Sequence, residues 1–219
     1  MKPGHKTNTL FDELTQVKTA ILQGQAIELF RSHDPYGGKR VGMMTLWPLQ
    51  ILYYDIAWYL VYEKLDDGQL AISRMNRFTE HFKVLNPQRP LEKQLEKLKQ
   101  VHKLLHRGWG LFLGDLEAQQ AELSGKIKLK TVKVRFFPEV VRFILEGDRR
   151  HPTQKIIPGL KNADGDYEYV DDRVKLPPRS LREFSLWVYR HMHNAKVLSP
   201  PELVKKHRQA AKMLSDRYE

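Results

Sequence analysis

From Gln25 to Phe78, strand-length apolar segments alternate with tight-turn residues, and this alternation dictates a β-rich unit. "QAIELFRS" reads as a short strand, and "DPYGGK" after it is turn chemistry. "RVGMMTLWPLQILYY" reads as one or two strands, in which Pro48 implies an edge, a bulge or a strand end. "WYLVYEKL" and "QLAISRM" flank the turn "DDG" and predict a hairpin. Four or five short strands joined so tightly predict a small barrel that closes its own edges.

The flanks follow another period. "LFDELTQVKTAILQ" puts Leu10, Leu14, Val17, Ile21 and Leu22 on one helical face, and Gly24 ends that helix. "QRPLEKQLEKLKQVHKLLHRG" predicts a helix from near Pro90 to Gly108. Its Leu91, Leu95, Leu98 and Leu105 recur at coiled-coil-like spacing, interrupted by His102, as in a linker helix lying on a neighbouring domain. "WGLFLGDLEAQQAELSG" continues the linker as helix or irregular chain.

A second α/β pattern begins near Lys126. "KIKLKTVKVRFF" alternates as a strand, and "PEVVRFILEG" reads as a helix closed by Gly147. "TQKIIPGL" and "DYEYVDDRVKL" are strand candidates around an Asn-Ala-Asp-Gly turn. "RSLREFSLWVYRHMHN" is helical, with Leu181, Phe184, Trp187 and Val188 on one face. "AKVLS" is a strand, and "PPELVKKHRQAAKML" is a closing helix with Ser199 as its N-cap. This order is that of a split βαβ, ferredoxin-like domain. The expected fold class is α+β: an N-terminal segment 1–24, a barrel over 25–87, a linker over 88–125 and a ferredoxin-like domain over 126–219.

The 219 residues carry a net charge of +11, with 41% hydrophobic and 10% aromatic residues. That is enough apolar surface for a core, and the charge points to a polyanionic partner such as nucleic acid or nucleotide. With no cysteine there is no disulfide framework, thiolate zinc site or cysteine nucleophile. "MKPGHKTNTLFDEL" has no signal-peptide core, and no apolar run reaches the roughly 20 residues a membrane span needs, so the expected location is cytoplasmic, with no membrane partner.

Residues 48–78, "PLQILYYDIAWYLVYEKLDDGQLAISRMNRF", resemble the WYL domain, named for the tripeptide seen here as Trp58-Tyr59-Leu60. Pro48 matches a family proline upstream of the tripeptide. The family's phenylalanine–arginine–leucine–aspartate–arginine–isoleucine strand is here Ser73-Arg74-Met75-Asn76-Arg77-Phe78, so both arginines match and the phenylalanine and aspartate do not. A tyrosine common in the first strand is Phe30, and an upstream arginine is Ala71. "VKVRFFPEVVRFI", "HPTQKI" and "AKVLSPPELVKKH" are similar to the C-terminal extension that follows WYL domains in bacterial transcription regulators. The resemblance implies an Sm/SH3-like barrel, then a ferredoxin-like domain, in a non-enzymatic, ligand-sensing regulator of transcription that forms a homodimer. Such regulators typically carry a winged helix-turn-helix before the barrel. Residues 1–24 are too few for one, so the expectation is either a piece of a longer protein or a member without its own DNA reader. The latter is similar to cyanobacterial WYL proteins that control a partner in CRISPR and antiviral defence.

Small barrels bind nucleic acid by pairing stacking aromatics with phosphate-gripping cations. Tyr59, Arg74 and Arg77 are the leading candidates, with Arg31, Ser32, Lys39 and Arg40 as further cationic and hydroxyl groups. Arg74 and Arg77 have opposite strand parity, so they share a face only if the strand ends or bulges between them, and Asn76 suggests an ending. Trp58, Leu60 and Tyr62 share the opposite parity from Tyr59, and large aromatics favour the core for that face. Arg77 is also a candidate for a buried pair with Glu63 or Glu80.

Other constellations read as packing or turns. His102 and His106, and His191 and His193, lack the further ligand a zinc site needs. Asp164, Asp166, Asp171 and Asp172 lack calcium-loop spacing. No Gly-rich phosphate loop, nucleophile elbow or carboxylate dyad occurs, so no catalytic residue, cofactor or metal is expected.

Overall fold

The computed structural model describes residues 9–34 and 41–219. It has a mixed α+β architecture with two antiparallel sheets and six α-helices. Two compact units divide the chain: residues 1–103 with 113–123, and residues 104–112 with 124–219.

In the first unit, helix α1 (Leu14–Gln23) precedes strands β1 (Gln25–Arg31), β2 (Gly42–Tyr54), β3 (Ala57–Lys64), β4 (Leu70–Arg74) and β5 (Phe78–Gln88). The sheet order is β4-β3-β2-β1-β5, every pairing antiparallel. No β4–β5 ladder closes it, so the expected closed barrel is not found among the described residues. β4 stops after five residues in a 3-10 turn (Met75–Arg77), and the chain passes straight into β5 against β1. "RVGMMTLWPLQILYY" forms a single strand, and the register slips between Pro48 and Gln50. A proline inside a central strand is thus placed at a bulge, where its missing N–H costs no regular ladder bond.

One face of this sheet packs with α1 around Val17, Ala20, Ile27, Leu29, Leu46, Leu60 and Tyr62. Leu22, expected on the buried face of α1, is 75% exposed, because it lies well round the helix from Val17. Gly24 ends α1 with φ of 63°, and a Cβ there would meet the Arg89 carbonyl at 2.5 Å.

Helix α2 (Leu91–Arg107) occupies the span predicted for it, but its buried face is not the leucine seam. Leu91 and Leu95 are exposed, while Gln94, Val101 and Leu104 are buried. Gln94 Nε2 donates to the carbonyl of Pro48, beside the bulge, and to that of Ile21 in the last turn of α1, which also accepts from Gly24 N–H at 3.4 Å. A polar anchor therefore sets the rotation of the helix. Helix α3 (Leu116–Leu123) contributes Gln119, whose side chain donates to the Leu70 and Gly114 carbonyls and accepts from Leu70 N–H.

In the second unit, β6 (Lys130–Phe136), α4 (Pro138–Glu146), β7 (Lys155–Pro158), β8 (Val170–Leu176), α5 (Leu181–Tyr189), β9 (Ala195–Ser199) and α6 (Pro201–Ser215) follow in order. The sheet order is β7-β8-β6-β9, all antiparallel. Its inner face and helices bury Val132, Val134, Phe136, Val174, Phe184, Trp187 and Val188. Ser199 does not cap α6: its Oγ donates to the Thr131 carbonyl, joining β9 to β6, and Pro200 takes the cap position.

Candidate nucleic-acid interface

Strand β3 carries Tyr59 opposite Leu52 of β2 and Arg74 of β4. Residues opposite one another project from the same side, so Tyr59 and Arg74 share a face. Tyr54 joins them by alternation, its ring edge-on to Tyr59 with centroids 6.5 Å apart. β4 ends at Arg74, and the following 3-10 turn sets Arg77 one step beyond it, both half-buried. The strand therefore ends between the two arginines, the condition that their opposite parity sets for a shared surface. The arrangement offers rings for stacking beside cations for phosphate.

The tripeptide divides otherwise than its parity predicts. Leu60 and Tyr62 are buried, but Trp58 is 46% exposed. Trp58 lies opposite Tyr53 near the β2–β3 turn, beyond the end of the core, and the two rings meet edge-to-face at 5.2 Å. Nor is the other face of β3 open throughout, since Val61 and Glu63 are buried. Glu63 is ion-paired with Arg89 and, at 2.7 Å, with Lys97. The Arg89 guanidinium lies over the Trp47 ring at 4.9 Å and donates to Gln94 Oε1. Arg77 is thus not the partner of Glu63.

Arg31 lies inside, 6% exposed. Its guanidinium donates to Ser73 Oγ at 3.5 Å and to the His33 carbonyl at 3.3 Å, and Ser73 Oγ is 3.0 Å from the Tyr62 hydroxyl. Ser32 donates through N–H and Oγ to the Arg77 carbonyl. Arg31 and Ser32 therefore tie the end of β1 to the Ser73–Arg77 segment and hold in place the turn that presents the two outer arginines. Lys39 and Arg40 lie outside the described residues.

Tyr53, Tyr54, Ser73 and Tyr62 are the site residues that sequence reasoning did not single out. The hairpin register carried the signal for the first two: a turn at Asp55-Ile56 sets Tyr53 opposite Trp58. Among the described residues, no group of three histidine, aspartate or glutamate side chains could hold a metal ion. No described helix is long and apolar enough to cross a membrane.

Residues 128–214 match the WCX domain family. No curated protein matches the chain. A crystal structure described as a CRISPR Cas-related protein aligns with 95% of this chain at 14% identity and a TM-score of 0.50. Proteasome accessory factor B/C of Arthrobacter aurescens aligns with 95% of the chain at 12% identity and a TM-score of 0.35. The chain spans 52% and 28% of those two chains. The first likeness is one of fold. The matched residues lie within the second unit and include the segments read in the sequence as similar to the C-terminal extension of WYL proteins.

Proposed function

We propose that this chain is a ligand-sensing regulatory protein of the WYL type, which binds a nucleotide or single-stranded nucleic acid through its N-terminal unit and controls transcription without catalysing a reaction. The observation that carries this reading is the shared face of Tyr54, Tyr59 and Arg74, with Arg77 on the turn beside it. We read the five-stranded sheet as an Sm/SH3-like unit left open. The β6-α4-β7-β8-α5-β9 order, with the sheet ordered β7-β8-β6-β9, supports a ferredoxin-like reading of the C-terminal unit. Arg74→Ala and Arg77→Ala should each weaken binding by about 1–3 kcal/mol if they grip phosphate, with little change in melting temperature. Fluorescence anisotropy with labelled oligonucleotides and a nucleotide panel, beside thermal melts, checks both halves. Unchanged binding by both variants would remove the site from this face.

A second reading is an interaction module controlling a protein partner in a CRISPR or other defence system. Ile56, 77% exposed at the hairpin turn, favours it, since an aliphatic side chain neither stacks on a base nor holds phosphate. Ile56→Ser would leave oligonucleotide binding intact under the first reading and disrupt a purified complex with the partner under the second.

A further inference from the structure

The outward face of the C-terminal sheet carries an arrangement of charge that folding alone does not favour. Across three adjacent strands, Lys155 of β7 stands opposite Arg173 of β8, and Arg173 stands opposite Lys133 of β6. Directly opposed like charges destabilise a sheet. Lys175 lies two residues along β8 from Arg173, and Lys196 of β9 lies opposite Arg135 of β6, both on this same face. Asp171 is the carboxylate among these strand positions, and it is already committed. Arg135 grips it in a fork at 2.9 and 3.1 Å, and Lys133 approaches at 2.9 Å. Lys155, Arg173, Lys175 and Lys196 are all exposed. Such uncompensated local cost is expected where a surface serves a ligand.

A built stacking element lies within this array. The Arg135 guanidinium sits 3.6 Å from the centroid of the Tyr169 ring. Gly159 lets that ring lie against the backbone: a Cβ there would meet it at 2.5 Å. The fork to Asp171 fixes the guanidinium plane from one side, and the ring supports it from below. A planar cation held in this way, its side chain still 30% exposed, can stack a base.

We propose that this face is a second polyanion surface, independent of the N-terminal site, which binds single-stranded nucleic acid: Arg173, Lys175, Lys155 and Lys196 hold phosphates, and Arg135 on Tyr169 stacks a base. Charge complementarity selects a polyanion. A single strand fits better than a duplex because four strands span roughly 14 Å, wider than the roughly 12 Å major groove. An exposed sheet face suits bases splayed across it.

The test is anisotropy of the full chain with a labelled oligothymidylate across a salt series, in four proteins: wild type, Arg173→Ala/Lys175→Ala, Arg74→Ala/Arg77→Ala, and all four substitutions together. The Arg173→Ala/Lys175→Ala variant should bind at least about tenfold more weakly at low salt. Its slope of log affinity against log salt should fall by about 1.4, because each lost single-strand phosphate contact removes about 0.7. It should do so in the Arg74→Ala/Arg77→Ala background as well, which separates this surface from the N-terminal one. The melting temperature should hold or rise, since opposed cations are being removed. Wild-type affinity and slope in the Arg173→Ala/Lys175→Ala variant would overturn the proposal. So would displacement of the oligonucleotide by polyglutamate at equal charge concentration, which would make an acidic protein segment the ligand, or equal affinity for duplex.

Discussion

Asp172 sits on the inner face of β8, 1% exposed, with Gln154 Nε2 donating to one carboxylate oxygen at 2.7 Å and no partner for the other. Burial pushes its carboxyl up from the ordinary 3.8 to about 6, and the Gln154 bond only partly opposes this. The folded chain therefore holds this proton more tightly than the unfolded chain. The stabilisation is full below the unfolded value and is lost as pH rises through about 6, a change of about 3 kcal/mol. Asp172→Asn keeps an oxygen for Gln154 and removes the charge. It should flatten the pH dependence between 4 and 6 and raise stability at neutral pH, as urea melts at several pH values would show. The neighbouring Asp171 titrates in the opposite sense. Burial pushes its carboxyl up, but the hydrogen bonds from Arg135 and Lys133 outweigh burial and hold it below the usual range. Two adjacent aspartates thus differ in pKa direction because strand alternation sends one inward and one outward. The sequence pattern "VDDRV" makes that alternation readable, but it does not reveal which of the two finds a cation.

At the scale of elements, α2 shows how far periodicity reaches. Its limits were legible from Pro90 and Gly108, yet the leucine spacing pointed to the wrong face. The deciding interaction is Gln94 with two backbone oxygens, and a hydropathy pattern gives a glutamine no weight. Gln94→Leu, which preserves volume, should destabilise the N-terminal unit by about 1–3 kcal/mol by removing the hydrogen bonds to the Pro48 and Ile21 carbonyls. Leu95→Ala should change stability by less than about 0.5 kcal/mol. Chemical denaturation of the two variants gives the contrast directly. The strands β1 to β4 were legible because turn residues punctuate them. β5 was not, because "FTEHFKVLNPQ" alternates weakly and runs without a turn into the helix. Trp58 was misplaced for a related reason: alternation assigns a face but does not say where along the strand the core stops. The pairing of Tyr59 with Arg74 was within reach, since the "DDG" turn sets the hairpin register.

For the whole molecule, we expect the homodimer that the family resemblance implies, with the exposed Leu91 and Leu95 of α2 as part of the surface that meets the second copy. Light scattering should then give twice the 25.8 kDa chain mass, and Leu91→Glu/Leu95→Glu should return the monomer. A wild-type chain that stays monomeric at tens of micromolar would remove the homodimer.

The Glu63 node has a consequence for how this sequence can change over time. One carboxylate serves two cations, and both Glu63 and Arg89 are largely withdrawn from water. Losing Glu63 first leaves two cations without their anion, a step that costs several kcal/mol. Losing Lys97 first leaves the Arg89 pair intact and is the mild step. The order of substitution therefore matters: a lineage can shed the lysine and later exchange the remaining pair, but it cannot begin with the glutamate. Positions 63, 89 and 97 should vary together among relatives, with the lysine the first of the three to be replaced.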